Sequence, residues 1–336
     1  MKIKRFFIFA ISTFLLTTFV GCSIGKERYE KEYVELFDTY IKIIIYADSS
    51  DEFDNYSNCF YDSMSRYNKL FDIYNSYDNI NNIKTINDNA GIKPVAVEKE
   101  LIEFLKYAKD TYKISNSKIN FAFGSVLQIW HNYRETALDF PESASVPTME
   151  ELKKADEHTD INSIEINEKD NTVYISDKKT SIDVGALAKG YAVQKTADLL
   201  KEKGVTSALL NAGGNVCTIG TPPDSDSWNV GIQDPDDTTK IYDKISVSDK
   251  SVVTSGNYQR YYTVNGKIYH HIIDPETLMP ADLYKNVTVI TGDSQIADML
   301  STALFILPYD DGKKLAQQYG ADVLWIFTDG HAEKTF

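Results

Sequence analysis

A histidine, a carboxylate and a proline lie together in residues 271–277, which read HIIDPET. A histidine can act as a general base for a hydroxyl group because its ordinary pKa lies near neutral pH. Pro275 restricts the residue before it and favours a turn just after the histidine. His270 would point to the opposite face of a strand, so only one of the two histidines can face a given cleft. We therefore predict His271 as a candidate base, with a partly buried structural histidine as the alternative.

A carboxylate and a hydroxyl occur four residues apart at Asp298 and Thr302. Residues 294–307 have the pattern of a helix, with Asp293 or Ser294 as a plausible N-cap. On a helix this spacing places both side chains on one face. Oxygen ligands suit a hard cation such as Mg²⁺, which leaves coordination positions for substrate phosphates. The alternative is a purely structural pair: a cap, a solvated face or an internal hydrogen bond.

A third candidate segment covers residues 182–191 (IDVGALAKGY), which we predict at the junction of a strand and a helix. Gly185 permits close backbone approach to a ligand, and free N–H groups at a helix start favour phosphate. Lys189 would add positive charge there. The order of glycine and lysine differs from that of a P-loop, and a surface helix with a solvated lysine is the alternative. Further on, the pair Gly213-Gly214 predicts a tight turn, with or without a ligand beside it.

Periodicity and turn signals predict the elements that must position these residues. Predicted strands cover residues 33–47, 207–211 and 323–327, and predicted hairpins cover 162–176 and 258–273, the second around Asn265-Gly266. Predicted helices cover residues 51–70, 98–114, 184–203 and 294–307. Because the strands are mostly joined by hairpins and the helices come in blocks, the sequence favours an α+β fold over a doubly wound α/β fold.

The N-terminus has the layout of a secretory signal peptide: a basic start, an uncharged apolar run, a small residue and then Cys22. The run is shorter than the roughly 20 residues that a spanning helix needs. We predict a lipoprotein signal peptide at 1–21, lipidation of Cys22, a tether at 22–31 and a main domain at 32–336. The lipid would hold the protein at the extracytoplasmic face of the cell membrane. A short uncleaved anchor is the alternative.

The chain of 336 residues has a formal net charge of −14. Removal of residues 1–21 would make it more negative, because that segment contains only basic charges. This acidity argues against binding of nucleic acid and against charge-driven adhesion to an anionic membrane. Beyond Cys22 only Cys59 and Cys217 remain, far apart and outside any CxxC or Cys/His cluster. A structural zinc site is therefore not predicted, and a disulfide between them is possible but not favoured.

Each of these segments is a weak signal by itself, but their order resembles that of the bacterial flavin transferase (ApbE-like) family. The resemblance runs from about residue 34 to 329. Its motifs are Phe37-Asp38-Thr39, FDIYNSYD with Tyr74, Phe123-Gly124-Ser125-Val126-Leu127 with Trp130, IDVGALAKGYAVQ, LLNAGGN, VTSGNY at 253–258, HHIIDPETLMP and ADMLSTAL. It implies an α+β fold of mixed and antiparallel sheets with flanking helices, in two lobes around a flavin-binding cleft.

The resemblance also implies the residues of the site. Mg²⁺ would be held by Asp298, Thr302 and the backbone carbonyl of Ala186, with Ser301 assisting. The substrate FAD would be held by Phe37, Tyr74, Phe123, Gly124, Ser125, Asp183, Lys189 and the backbone of Ile272 and Ile273. His271 matches the base proposed for the family. An aromatic side chain such as that of Tyr74 is well suited to stacking on a flat ring.

The implied reaction is Mg²⁺-dependent transfer of FMN from FAD to a threonine or serine hydroxyl, with release of AMP. The implied acceptor is an exported flavoprotein, such as a subunit of a membrane redox complex. With water as acceptor, the same site would hydrolyse FAD to FMN and AMP. A flavin-binding lipoprotein without turnover is a further alternative, although a pure binder needs neither base nor metal.

Two positions depart from the family pattern. Leu278 stands where the turn after the histidine usually has glycine, and Asn120 stands where many members have aspartate. If the turn needs a positive φ at position 278, leucine is strained there or the turn differs. Neither departure removes an implied metal ligand or the implied base.

Overall fold

The computed structural model describes residues 25–336. The predicted signal peptide at 1–21 and the predicted lipidation site Cys22 lie outside these residues. Within residues 25–336, no helix has both the length and the apolar character needed to cross a bilayer. The helices are α1 (Ser50–Phe71), α2 (Ile83–Asp88), α3 (Lys99–Ile114), α4 (Gly124–Asp139), α5 (Met149–Asp156), α6 (Ala188–Glu202), α7 (Ser294–Ile306) and α8 (Tyr309–Gln318).

The strands form one large sheet and three small ones. They are β1 (Glu27–Tyr33), β2 (Ile41–Ala47), β3 (Val95–Ala96), β4 (Ile164–Asn167), β5 (Thr172–Ile175), β6 (Ala208–Ala212), β7 (Asn215–Ile219), β8 (Trp228–Gln233), β9 (Ile241–Val247), β10 (Ser251–Gly256), β11 (Tyr261–Val264), β12 (Lys267–His270), β13 (Tyr284–Thr291), β14 (Asp322–Phe327) and β15 (Ala332–Lys334). The large sheet has the order β1-β2-β6-β7-β10-β13-β14-β15, and its pairs are antiparallel. The predicted α+β class is confirmed.

Both faces of the large sheet are covered, as strand β2 illustrates. Ile41, Ile43 and Ile45 are fully buried in the main core, under the helices. Ile44 and Tyr46 point to the other face, where they pack on a second core formed with the β8–β9 hairpin. Successive side chains of a strand alternate between faces, so both the inward and the outward side chains from Ile43 to Ala47 are apolar or aromatic, and only Lys42 is charged.

A third core forms a smaller lobe beside the main body. It contains Val126 and Trp130 of α4, Leu152 of α5, Tyr262 of β11 and Leu278 of the turn after β12. Helix α4 was not predicted from the sequence, although its buried residues recur at a helical spacing. This lobe forms one wall of the cleft that carries the candidate site.

Several predicted elements are confirmed within a few residues, namely helices α1, α3 and α7 and the hairpins β4–β5 and β11–β12. Asp293 caps α7, because its Oδ1 accepts hydrogen bonds from the N–H groups of Gln295 and Ile296. Asn265 and Gly266 both have positive φ, which is what the predicted two-residue hairpin turn requires. Helix α6 begins at Ala188, four residues later than predicted.

The N-terminal part of the domain differs from the prediction in two ways. Residues 33–47 do not form one strand, because Phe37 and Asp38 have positive φ and the chain turns back between β1 and β2. Residues 27–31 were predicted to belong to the tether, but they lie in β1 and pair with β2 along the edge of the large sheet. Any free link to the N-terminus therefore ends before Glu27.

Candidate active site

A cleft of about 630 Å³ lies between the main body and the smaller lobe. Its walls come from the β1–β2 turn, the loop after α1, the segments before α4 and α6, and the segments after β10 and β12. It brings together most of the predicted site residues: Phe37, Tyr74, Phe123, Asp183, Ala186, Lys189, His271, Ile272, Ile273, Asp298 and Thr302. The three candidate segments of the sequence thus meet in one cleft. They are helix α7, the segment before α6 and the segment after β12.

Gly124 and Ser125 lie behind the cleft wall, at the start of α4, and not on it. The N–H of Gly124 donates to the carbonyl of Ser181 (3.0 Å), and the Ser125 hydroxyl donates to the carbonyl of Ala155 (3.0 Å). A Cβ on Gly124 would lie 2.4 Å from the Ser181 oxygen, so this close packing needs glycine. Neither residue lines the cleft, and both support Phe123 at the start of α4; the FAD contacts that the resemblance implies for them stay predictions.

Asp298 lies on α7 where this helix crosses α6. The N–H of Gly190 donates to its Oδ2 at 2.7 Å. A Cβ on Gly190 would lie 2.3 Å from the Asp298 Cβ and 2.5 Å from the carbonyl oxygen of Ser294. Only glycine permits this close crossing, so the glycine after Lys189 holds the predicted metal ligand in place.

The environment of Asp298 favours a bound cation. The residue is only 4% exposed, and burial raises the pKa of its carboxyl group while nearby Lys189 and the Gly190 hydrogen bond act in the opposite direction. The side chain of Asn215 is near enough to the Asp298 carboxyl group to lower the pKa of that group. The amide nitrogen of Asn215 is buried and has no hydrogen bond of ordinary geometry among the described atoms. Burial of a charged carboxylate is unfavourable unless the carboxylate is paired or coordinates a metal. The polar groups around Asp298 offset this unfavourable free energy only in part.

The oxygen groups beside Asp298 fit Mg²⁺. The Thr302 hydroxyl, one turn further on, lies 3.4 Å from the backbone carbonyl of Asp298, and Thr302 and Ala186 both line the cleft. The Ser301 hydroxyl is fully buried, 2.9 Å from that of Ser255, and does not line the cleft, so it supports the site from behind. No group of three or more His, Cys, Asp or Glu side chains between residues 25 and 336 could hold a metal. One carboxylate with neutral oxygens suits an ion that also binds substrate phosphates.

The structure assigns different roles to the two histidines. His270 is buried, and both of its ring nitrogens are hydrogen bonded: Nε2 to the carbonyl of Ala281 (2.7 Å) and Nδ1 to the N–H of Ile272 (3.2 Å). Because a carbonyl only accepts and an N–H only donates, His270 is neutral with its proton on Nε2. It fixes the backbone of Ile272, which was predicted to contact FAD. His271 is the histidine whose ring is open to the cleft.

The ring of His271 is uncharged at neutral pH. The cleft walls reduce the hydration of its charged form and thereby lower its pKa, and the positive charge of Arg260 lowers it further. Its backbone N–H donates to the carbonyl of Arg260 at 3.1 Å, which fixes the start of the turn. A neutral imidazole can accept a proton from a hydroxyl group.

Leu278 has a positive φ of 60°, so of the two alternatives left open by the sequence the turn keeps the backbone conformation that favours glycine. Its N–H donates to the carbonyl of Asp274 (2.8 Å), and its carbonyl accepts from the indole N–H of Trp130 (3.0 Å). The leucine side chain is 4% exposed and packs in the core of the smaller lobe. Burial of this side chain offsets the unfavourable backbone conformation.

The turn after His271 is also fastened to the segment before α4. Lys118 is 8% exposed, and its Nζ lies 3.0 Å from Asp274 and 2.8 Å from Glu276. Two residues later, the amide of Asn120 donates to the carbonyl of Thr159 (2.9 Å). A carboxylate could not donate this hydrogen bond, which accounts for asparagine at this position.

Part of the cleft wall presents an aromatic surface. The ring of Tyr74 is 49% exposed and lies 5.3 Å, centroid to centroid, from that of His131. Asp72 holds this loop, because its Oδ1 accepts the N–H groups of Tyr74 (2.7 Å) and Asn75 (2.9 Å). Phe37 is fixed in the facing turn by a 2.8 Å hydrogen bond from its N–H to the side chain of Asn68. Such a surface can stack on a flat ring.

Asp183 and Lys189 line the middle of the cleft. The Oδ1 of Asp183 accepts the N–H of Gly185 (2.9 Å) and shapes the turn before α6, and burial raises the pKa of its carboxyl group. Lys189 lies in the first turn of α6, directly before the glycine that contacts Asp298. The positive charge of Lys189 lowers the pKa of both Asp298 and His271, so the lysine is near both groups.

One cleft thus contains a carboxylate–hydroxyl pair, a lysine and a neutral histidine. Such a set of groups is typical of an enzyme active site. The ApbE family model matches residues 37–325. The chain is 34% identical over 263 residues to the FAD:protein FMN transferase of Treponema pallidum, which covers 74% of this chain and 71% of that protein. It is 31% identical over 247 residues to that of Klebsiella pneumoniae, covering 73% and 74%. The chain belongs to the ApbE family, a family of flavin transferases, and is an enzyme of the transferase class.

Solved structures agree with this family and confirm the predicted fold. The ApbE protein of Thermotoga maritima superposes with a TM-score of 0.80 at 28% identity, covering 92% of this chain and 97% of that one. The flavin transferase ApbE of Vibrio cholerae has the same fold, with a TM-score of 0.76 at 23% identity and the same coverage.

Some residues of the site were not predicted from the sequence. Lys118 and Arg260 carry no local signal. Asn215 and Asp274 lie in quoted motifs, but their proximity to Asp298 and Lys118 could not be predicted, since these residues are distant in the chain. His270 was considered only as the neighbour that faces away. Gly190 lies inside a predicted motif, but its role depends on the crossing of two helices. Neither Cys59 nor Cys217 forms a disulfide.

Proposed function

We propose that this protein transfers FMN from FAD to a threonine or serine hydroxyl of an acceptor flavoprotein and releases AMP, in a Mg²⁺-dependent reaction. The observation that carries the proposal is the convergence of His271, Lys189, Asp298 and Thr302 in one cleft. The relatives that bear the name FAD:protein FMN transferase support the choice of substrate and acceptor.

Asp298, Thr302 and the carbonyl of Ala186 are the residues that would hold Mg²⁺. The ion would neutralise charge on the pyrophosphate of FAD as the bond between the two phosphates breaks. The crossing at Gly190 keeps the carboxylate at a fixed position, and Lys189 adds a positive charge on the side of His271.

His271 supplies the base for the reaction. A ring nitrogen takes the proton of the acceptor hydroxyl while the hydroxyl oxygen attacks the phosphorus on the FMN side. A bond forms between this oxygen and the phosphorus, and the bond to the AMP oxygen breaks with its electron pair leaving on AMP. The lowered pKa of His271 keeps the ring in the form that accepts this proton.

The aromatic surface of the cleft would hold the flat rings of the substrate. The backbone N–H groups of Tyr74 and Phe37 donate hydrogen bonds to Asp72 and Asn68, so the segments that carry these rings lose little conformational freedom on binding. The backbone of Ile272 is likewise fixed by the ring of His270.

The proposed place of action is the extracytoplasmic face of the cell membrane, with a lipid on Cys22. This proposal rests on the signal-like N-terminal sequence, and the acceptor would be an exported flavoprotein such as a subunit of a membrane redox complex. Labelling cells with a radioactive fatty acid tests it. Label on the wild-type protein that is lost in Cys22→Ala is the expected result, and equal label or none on both contradicts it.

The reaction is tested with the full-length protein, FAD and Mg²⁺, with and without an acceptor domain. AMP release and covalent flavin on the acceptor are followed by mass spectrometry. AMP together with flavinylated acceptor is the expected result. AMP with free FMN only would indicate hydrolysis by the same groups, and bound FAD without AMP would indicate a binding protein and overturn the proposal.

A further inference from the structure

Arg260 lies next to the proposed base, but its guanidinium takes no part in the proposed transfer of FMN. It occupies the turn between β10 and β11, and its carbonyl accepts the backbone N–H of His271 at 3.1 Å. Its side chain is exposed and lines the cleft. Among charged residues, Arg260 makes the largest contribution to the lowered pKa of His271, which agrees with a guanidinium close to that ring.

The guanidinium of Arg260 makes only a weak hydrogen bond, whereas two other cations of the cleft form ion pairs. Arg134 lies 3.0 Å from the carboxylate of Glu135, and Lys118 lies 3.0 Å from that of Asp274. The side-chain contact of Arg260 is a 3.4 Å hydrogen bond from Nη2 to the backbone carbonyl of Asp38, across the cleft. This distance is at the long end for an N–H···O bond, so the group can exchange this partner for a stronger one.

The chemistry of the site says which partner fits. A guanidinium presents parallel N–H donors that match two oxygens of a phosphate, and such charge-assisted pairs are stronger than a bond to a neutral carbonyl. The phosphorus that is attacked must lie within reach of the hydroxyl that His271 deprotonates. A phosphate at that position is within the neighbourhood of Arg260, because Arg260 and His271 line the same cleft and are joined by a backbone hydrogen bond.

We propose that Arg260 is a further catalytic residue, whose guanidinium binds the non-bridging oxygens of the phosphoryl group that is transferred. This inference rests on the proposed FMN transfer. In the step, the acceptor oxygen bonds to phosphorus, the proton goes to His271 and AMP leaves with the electron pair of the broken bond. Arg260 forms and breaks no covalent bond; it balances the charge on the oxygens that stay with FMN.

A structural role is the competing explanation, because Arg260 links the turn of Asp38 to the segment of His271. The link from Arg260 to His271, however, runs through the backbone carbonyl, which any residue at this position would supply. The link to Asp38 is a single long hydrogen bond from an exposed side chain. Loss of the guanidinium should therefore change stability little, and the two roles are separable by experiment.

The test compares Arg260→Gln, Arg260→Lys and Arg260→Ala in the full-length protein. The measurements are the rate of FMN transfer at saturating FAD, the Kd of FAD from quenching of its fluorescence, and the midpoint of thermal unfolding. Arg28→Gln is the matched control, because Arg28 is an exposed residue of β1 that pairs with Glu30 and does not line the cleft.

We expect Arg260→Gln to lower the transfer rate by roughly 100-fold or more, the usual loss when one donor to developing charge is removed. The Kd of FAD should change much less, and the thermal midpoint should match that of Arg28→Gln. Arg260→Lys keeps the charge but not the planar pair of donors, so it should retain an intermediate rate. Millimolar guanidinium should partly restore the rate of Arg260→Ala, an effect that a structural role does not produce.

Wild-type rates in Arg260→Gln would overturn the inference and leave the proposed function intact. A fall in the thermal midpoint that parallels the loss of rate, with no rescue by guanidinium, would assign Arg260 a structural role and also overturn it. If the wild-type protein itself releases no AMP from FAD, the proposed function fails first, so the two failures are distinguishable.

Discussion

The backbone N–H of Gly190 donates a 2.7 Å hydrogen bond to the buried carboxylate of Asp298, 108 residues further along the chain. The contact exists because α6 and α7 cross at a residue without a side chain. It joins the segment that carries Lys189 to the helix that carries the candidate metal ligands. The geometry of the proposed reaction thus depends on a glycine that does not itself line the cleft.

Gly190→Ala should damage both the fold and the metal site. Its Cβ would lie 2.3 Å from that of Asp298, so the helices must move apart. Overpacking of this kind costs about 1–3 kcal/mol in free energy of unfolding, and Mg²⁺ affinity should fall because the carboxylate shifts. Urea denaturation and Mg²⁺ titration of the thermal midpoint measure the two effects. Gly292→Ala is the control, since a Cβ there meets nothing within 4 Å; equal behaviour of the two variants would contradict the prediction.

Asp298→Asn should abolish Mg²⁺-dependent AMP release while weakening FAD binding less. The amide can still accept the Gly190 hydrogen bond but supplies no negative charge to the ion. Burial raises the pKa of Asp298 in the folded state, so without metal the folded protein holds this proton more tightly than the unfolded chain. The wild-type protein should therefore lose stability relative to Asp298→Asn as the pH rises above the ordinary carboxyl pKa, and Mg²⁺ should restore it. Parallel pH profiles of the two unfolding midpoints would contradict this.

His271→Gln should retain FAD and Mg²⁺ binding but lose FMN transfer. Because the folded-state pKa of His271 is lowered, the transfer rate should stay nearly constant as the pH falls from about 8 to about 6.5, the ordinary histidine pKa. Below that value the unfolded chain takes up the proton first, so His271 should lower stability there relative to the glutamine variant. Rate–pH profiles test the first point. His331→Gln, an exposed histidine near the C-terminus, is the control; full transfer by His271→Gln would place the base elsewhere.

Leu278→Ala and Leu278→Gly should both destabilise the protein, and the alanine variant should be destabilised more than the glycine variant. Each loses the buried leucine side chain, which typically costs about 2–5 kcal/mol. Alanine keeps the unfavourable positive φ, whereas glycine tolerates it, a difference of about 1–2 kcal/mol. We therefore expect the glycine variant to be the more stable of the two. Urea denaturation decides the order; an alanine variant that is more stable than the glycine variant would show that the turn has relaxed away from positive φ.

Local patterns in the sequence predicted a large part of this fold. The alternating and helical periodicities located α1, α3 and α7, and the Asn-Gly pair located the β11–β12 hairpin, because each depends on residues within one turn or one pair of strands. They failed between residues 33 and 47, where a turn with positive φ at Phe37 interrupts an otherwise strand-like composition. They also missed α4, whose core forms only with the β11–β12 hairpin and the turn at Leu278.

For the site, the sequence by itself determined the chemical groups and their order: His271, Lys189, Asp298 and Thr302, with the aromatic Tyr74. Only the tertiary structure decided that both ring nitrogens of His270 are hydrogen bonded and that Gly124, Ser125 and Ser301 do not line the cleft. It also revealed that Gly190 and Arg260 belong to the site. The physical reason is that spacing along one element fixes which side chains share a face, whereas contacts between elements depend on how the helices cross and the turns pack.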